Sequence, residues 1–167
     1  MNNHDRYVLG SIFFFGLLIL SGASARAEPP EGRPSTITGT ATITDGDTIK
    51  VDGTKVRLSG YDTPERRSMC GRTDVYEAAS DALAGFIGSK DVNCKLTGDK
   101  TYDRFVGTCS VNGKDLGAFM VESGWGRDWP KFSDGKYAAA EKKARKAKSG
   151  LWGLNCSDSL WGSRSYD

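Results

Sequence analysis

The sequence predicts an α+β domain: a small closed β-barrel of five strands with about three helices packed on it. Three observations carry that expectation. Short β-patterned runs crowd the first half of the chain, two-residue turn signals separate them, and helical periodicity arrives late rather than alternating with the strands. A parallel α/β fold would interleave the two types of element, so that class is excluded.

The chain has 167 residues, and residues 1–27 read as a signal peptide. Arg6 supplies a positive start, Tyr7 to Leu20 is a nearly uninterrupted apolar run, and Ala25-Arg26-Ala27 offers a small-x-small cleavage pattern. The run is shorter than the ~20 residues a spanning helix needs, so cleavage after Ala27 is expected, with an uncleaved tether as the alternative. No cysteine directly follows it, which argues against a lipoprotein anchor. The expected location is periplasmic or secreted. Residues 28–35, with Pro29, Pro30 and Pro34, form an extended leader. Residues 36–153 form the domain, and 154–167 a C-terminal tail.

Within the domain, Ile37, Ala41 and Ile43 share one strand face and Thr36, Thr38, Thr40 and Thr42 the other. Gly39 interrupts the apolar face and marks a bulge or bend. Ile49 with Val51, and Val56 with Leu58, continue the pattern. Asp52-Gly53 between them is a two-residue hairpin turn, and Asp45-Gly46 a second sharp turn. Three β-runs are therefore expected before Tyr61. Thr73 caps a helix with an apolar stripe of Val75, Ala79, Ala82, Leu83, Phe86 and Ile87, which Gly88 ends.

Strands Val92 to Leu96 and Phe105 to Val111 follow, then the turn Asn112-Gly113. A short helix carries Leu116, Phe119 and Met120 and stops at Gly124. The last helix, from about Lys136 to Ser149, buries Tyr137, Ala140, Ala144 and Ala147. Its Lys142, Lys143, Arg145, Lys146 and Lys148 face solvent. An OB-type barrel is the natural candidate for this order of elements.

The chain has 23 basic and 21 acidic residues; without residues 1–27 the counts are 21 and 20. That balance argues against a protein that coats DNA electrostatically and suits one with a local basic site. Four cysteines, Cys70, Cys94, Cys109 and Cys156, follow the signal sequence, an even number that favours two disulfides. Three connectivities are possible. Cys94 and Cys109 lie about symmetrically around a turn near Thr101, so a hairpin would set them opposite one another and leave Cys70 with Cys156. Zinc is disfavoured, because Cys-x-x-Cys spacing is absent and the only histidine is His4.

Two stretches concentrate charge where strands give way to turns: Asp45-Gly46-Asp47-Thr48, and Arg57-Leu58-Ser59-Gly60-Tyr61-Asp62-Thr63-Pro64-Glu65. Asp47, Asp62 and the carbonyl of Thr63 are oxygen donors of the kind a hard cation such as calcium takes. Arg57 alternates with Val56 and Leu58 and so points away from that apolar pair. In a groove beside two aspartates it would grip phosphate through its planar fork. Arg104 is a second candidate of that kind, and Glu65 either caps a helix or orients and deprotonates a water. Taken singly, each motif is an ordinary turn, a capped loop or an exposed arginine; their co-occurrence is the signal.

These two stretches, together with Tyr102-Asp103-Arg104, Gly124-Trp125-Gly126, Trp129-Pro130, Tyr137-Ala138-Ala139-Ala140-Glu141 and Gly150-Leu151-Trp152, resemble the staphylococcal nuclease (thermonuclease) family over residues 36–153. The resemblance implies a five-stranded OB barrel with three helices and calcium-dependent (Ca2+) cleavage of DNA and RNA to 3′-phosphate products. Carried over by position, Asp47, Asp62 and the Thr63 carbonyl would bind calcium, and Arg57 and Arg104 would contact phosphate. Glu65 would act on the attacking water, and Tyr102 and Trp129 would help hold the nucleotide. The family commonly has glycine where this chain has Asp103, which could pair with Arg104 or stiffen the loop. Two rival readings are a non-catalytic OB module binding single-stranded nucleic acid and a structural protein of the envelope. A monomer without a stable protein partner is expected.

Overall fold

The structure, a computed structural model, describes residues 35–166. The expected signal peptide, the leader up to Pro34, and Asp167 lie outside the described residues. The first β-run becomes two strands, β1 (Ser35–Gly39) and β2 (Ala41–Asp45). Ile37, Ala41 and Ile43 pack on the core while Thr36, Thr38, Thr40 and Thr42 are exposed. The expected three runs before Tyr61 are four strands, because the chain changes partners at Thr40. Gly39 sits at that change, where a Cβ would come within 3.1 Å of the Asp52 side chain.

β3 (Thr48–Val51) and β4 (Thr54–Leu58) complete the meander. Asp52 and Gly53 join them with φ of 52° and 87°, the two positive values that a type I′ turn needs. Three two-residue strands follow, β5 (Tyr61–Asp62), β6 (Met69–Cys70) and β7 (Thr73–Asp74). Helix α1 (Val75–Ile87) buries Val75, Ala79, Leu83 and Ile87 and ends at Gly88. Its cap is Asp74 rather than Thr73: the Asp74 carboxylate accepts from the Glu77 amide at 2.9 Å. Thr73 is instead held in the β6–β7 pairing opposite Cys70, which moves the helix start one residue on.

The hairpin β8 (Val92–Thr101) and β9 (Arg104–Val111) is longer than the two expected runs. Pairing resumes beyond a register shift between Leu96 and Lys100, so Lys100 meets Phe105 and Thr101 meets Arg104. Gly98 lies inside that shift with φ of 96°. β10 (Lys114–Asp115), α2 (Leu116–Glu122) and β11 (Arg127–Asp128) lead to a four-residue helix, α3 (Pro130–Ser133), that makes four helices among the described residues where about three were expected. Pro130 occupies its first turn, where a missing N–H costs no hydrogen bond. In α4 (Ala138–Ala147) Ala144 is buried, and Tyr137 is buried just ahead of the helix. Ala147 is exposed, contrary to expectation, because the helix stops there and Lys148 turns left-handed. Short 3-10 turns follow at Gly150–Gly153 and Asp158–Trp161.

The α+β class holds. The main sheet runs β1-β8-β9-β4-β3-β2, with β10 beside β9. Its β4–β9 pairing is parallel, so the sheet is mixed. The expected closed barrel is reached only in part: the hydrogen-bonded path has two ends, β1 and β2, which the chain joins through Thr40. The main core includes Ile49, Val56, Leu58, Leu83, Leu96 and Met120. A second cluster gathers Val75, Leu151, Leu160 and Trp161, so the expected tail is folded onto the domain. Disulfides Cys94–Cys109 and Cys70–Cys156 are both present, the first across directly paired residues of β8 and β9.

Candidate active site

Local structure aims the charged groups at one place. Gly46 and Asp47 form the turn between β2 and β3. A Cβ at Gly46 would come within 3.0 Å of Thr63 and 3.1 Å of Ala79, so only glycine lets this turn pack down. The buried Tyr61 hydroxyl donates to the Gly46 carbonyl at 2.9 Å, and the Asp47 amide donates to Asp45 Oδ1 at 3.1 Å. The Asp47 carboxylate then faces inward, accepting from Thr48 Oγ1 at 3.0 Å and from Thr63 Oγ1 at 3.3 Å.

Asp62 is wholly buried on β5, and Asp47 is nearly so. The two carboxylates meet at a single nitrogen. Arg57 Nη2 lies 3.0 Å from Asp47 Oδ2 and 3.2 Å from Asp62 Oδ1. Arg57 Nη1 donates to the Leu58 carbonyl at 2.6 Å, and Nη2 also donates to the Tyr61 carbonyl at 3.2 Å. Arg57 is thus locked by its own strand end, and its position as the half-buried residue between buried Val56 and Leu58 matches the expected alternation. Arg104, at the start of β9, donates to Thr48 Oγ1 at 3.1 Å, and Thr48 donates onward to Asp47. The parallel β4–β9 pairing, with Arg57 opposite Val106, sets the two arginines side by side.

Burial dominates the electrostatics. It pushes the Asp62 carboxyl up to about 6, with Asp47 adding to the rise and Tyr166, Arg164 and Arg57 opposing it. Burial and then the Asp47 charge likewise raise Asp45 to about 6. Packing two acids this closely is tolerable because guanidinium groups are already among them.

A polar cleft of about 170 Å³ is lined by Asp45, Asp47, Thr63 and Glu65 together with Arg57, Arg104 and Arg164. A larger cleft of about 350 Å³ holds Tyr102, Trp129 and Phe132 and is walled by the same three arginines. All the site residues expected from the sequence therefore line one or both clefts, except Asp62, which is buried behind Arg57 and Arg164. Tyr102 is 93% exposed at the hairpin tip, whereas Trp129 packs edge-on against Phe132 with ring centroids 4.7 Å apart. Asp103 pairs with Lys55 on β4 and not with Arg104; that lysine holds its carboxyl below the usual range.

The donor set fits a hard divalent cation in its chemistry, since Asp45, Asp47, Asp62 and Thr63 offer only oxygen. Among the described residues, no group of three or more His, Cys, Asp or Glu side chains converges as a metal cluster. Arginines stand between the carboxylates instead. Three contributors escaped the sequence reading. Thr48 lies inside a motif but links Arg104 to Asp47 only through its hydroxyl. Arg164 donates to Asp62 Oδ2 at 2.9 Å and contacts Glu65, and the Tyr166 hydroxyl also donates to Asp62 Oδ2. Both come from beyond the motif-bearing region, and no local pattern announces them.

A mixed sheet whose paired strands β4 and β9 bring Arg57 and Arg104 to a cleft beside buried aspartates is consistent with an OB-like fold. The chain belongs to the staphylococcal nuclease homologue family, which matches over residues 55–153. It is 34% identical over 142 residues to the succinoglycan biosynthesis protein ExoI of Rhizobium meliloti (strain 1021), covering 81% of this chain and 71% of that protein. It is 32% identical over 111 residues to the probable endonuclease LCL3 of Pyricularia oryzae, covering 59% of this chain and 43% of that protein. For the probable endonuclease LCL3 of Komagataella phaffii the identity is 35% over 111 residues, covering 59% and 49%. The chain thus spans less than half the length of these two endonuclease relatives.

Proposed function

We propose that the chain is a calcium-assisted nuclease that hydrolyses phosphodiester bonds of DNA and RNA and leaves 3′-phosphate ends. The observation that carries this reading is Arg57 Nη2 between Asp47 and Asp62, with Arg104 tied to the same aspartate through Thr48. Family membership and the two endonuclease-named relatives support it. Two disulfides support an oxidising compartment, in keeping with export.

Asp47, Asp62 and the Thr63 carbonyl would hold the ion. Calcium bound there supplies Lewis-acid neutralisation of a non-bridging phosphate oxygen. Arg57 and Arg104 bind the phosphate and stabilise the charge that grows on its equatorial oxygens. Glu65 orients the attacking water and takes its proton. The water oxygen bonds to phosphorus as the bond to O5′ breaks, and a proton returns to the departing 5′ oxygen. Trp129 and Tyr102 hold base or sugar in the neighbouring cleft. The test is digestion of single- and double-stranded DNA and RNA with calcium present or chelated, with the ends mapped. Cutting that chelator abolishes is expected. Tight single-stranded binding without cut ends would instead favour the non-catalytic binding module.

A further inference from the structure

The segment after Cys156 lies outside the matched family region, yet it reaches the centre of the site. Its base is fixed twice. The Cys70–Cys156 disulfide ties it to β6, and Leu160 and Trp161 are buried in the second cluster. The Leu160 carbonyl accepts from the Glu65 amide at 2.9 Å and from Ser68 Oγ at 3.3 Å, so the turn is bonded directly to the site loop. Beyond it, the Trp129 indole donates to the Ser165 carbonyl at 3.0 Å, and the Arg127 guanidinium sits 3.9 Å from the centre of the Tyr166 ring. These contacts aim Arg164 and Tyr166 inward.

What the two side chains do there is specific. Arg164 joins Asp62 and Glu65, and Tyr166 takes the same Asp62 oxygen as Arg164, while Arg57 holds the other oxygen. All of Asp62's oxygens are engaged by protein donors, and Glu65 is paired with a cation. A guanidinium here supplies the positive charge that a metal ion would otherwise bring to these acids. An Asp62 so occupied cannot ligate an ion through that oxygen, and a Glu65 so paired has its carboxylate taken up by Arg164.

We propose that residues 157–166 form a tethered latch, in which Arg164 and Tyr166 occupy the site's carboxylates until a divalent cation displaces them. The proposal rests on the metal-assisted reading above. Tethering at Cys156, eight positions before Arg164, keeps the arginine at high effective concentration, so the latch recloses whenever the cation leaves. The apparent cation affinity is lowered by the fraction of molecules that are open.

The test titrates calcium into the full chain and into Arg164→Ala, Arg164→Lys and Tyr166→Phe by calorimetry. Tryptic cleavage after Arg164 in the wild type is followed with and without calcium. We expect Arg164→Ala to tighten calcium binding roughly tenfold and Tyr166→Phe to tighten it less. Arg164→Lys should fall between wild type and Arg164→Ala, since it keeps the charge without the fork. Saturating calcium should speed cleavage at Arg164 by about tenfold, as the open fraction rises. Equal calcium affinity in wild type and Arg164→Ala, or cleavage that calcium does not speed, overturns the latch even if the chain cuts nucleic acid. Failure of every form to bind calcium overturns the latch and the metal reading together.

Discussion

Arg57 contacts both buried aspartates at once, so Arg57→Ala asks whether the site is held together by that contact. The substitution deletes the links to Asp47 at 3.0 Å and Asp62 at 3.2 Å and leaves two carboxylates facing each other out of solvent. Removing one side of a buried ion pair costs about 3–5 kcal/mol. Arg164 remains on Asp62 and trims that figure, so about 3 kcal/mol is expected at pH 8 in the absence of metal.

The loss must depend on pH in a definite direction. Asp62 already titrates at about 6, and Arg57 is one of the groups holding it down. Without Arg57 the value climbs further, so near pH 5 the carboxyl takes a proton and no longer presents a charge. The penalty is therefore small below about pH 6, where Asp62 is protonated with or without Arg57, grows as pH rises above that value, and should fall to about 1 kcal/mol at pH 5. For a domain of this size, about 3 kcal/mol lowers Tm by roughly 10 °C. Urea denaturation in chelator at pH 5 and pH 8, with the disulfides intact, measures the loss at each pH. A loss below ~1 kcal/mol at pH 8, or a larger loss at pH 5 than at pH 8, refutes the reasoning. In the digestion assay the same variant should lose on the order of 10²–10³ in rate.

Arg104→Ala should show a similar loss of rate, on the order of 10²–10³. Its stability should change by under ~1 kcal/mol, because its hydrogen bond to Thr48 is partly exposed; a cooperative unfolding defect would contradict this. Asp103→Gly should leave cleavage within about twofold, since the side chain sits in an exposed pair with Lys55, and a large gain in rate would show that it restrains Arg104 after all. Calcium affinity should weaken as pH falls below about 6, because Asp45 and Asp62 both take up protons there; calorimetry giving one affinity at pH 5 and pH 7.5 would exclude them as determinants. Cys70→Ser with Cys156→Ser should lower Tm more than Cys94→Ser with Cys109→Ser. The separations of 86 and 15 residues correspond to ~4.5 and ~3 kcal/mol by chain entropy, and the β8–β9 pairing closes the shorter loop unaided. A reversed order would count against that account.

Local chemistry made much of this fold readable. Asp52-Gly53 and Asn112-Gly113 are turns because both residues of each pair adopt positive φ, which their side chains tolerate. Asp47, Arg57, Asp62 and Arg104 were readable as candidates because each sits at or beside a strand end near turn residues, and Glu65 because it closes the loop run that follows Asp62. What stayed hidden was set by neighbours distant in the chain. Thr73 and Asp74 are both competent caps, and the β6–β7 bridge chose between them. The strand from Ser35 to Asp45 carries one alternating pattern, and only its two partners reveal the break at Thr40. Arg164 and Tyr166 lie more than 100 residues from Asp62, so no spacing rule could connect them.

The parallel β4–β9 pairing has a consequence for how the protein matures. Neither hairpin, β3–β4 or β8–β9, contains both arginines; each can zip up alone and remain inert. Competence arrives only when two segments nearly fifty positions apart dock edge to edge, a late and slow event for a chain of this topology. Recovery of cutting during refolding should therefore lag behind recovery of strand signal, giving a clock for the final assembly step.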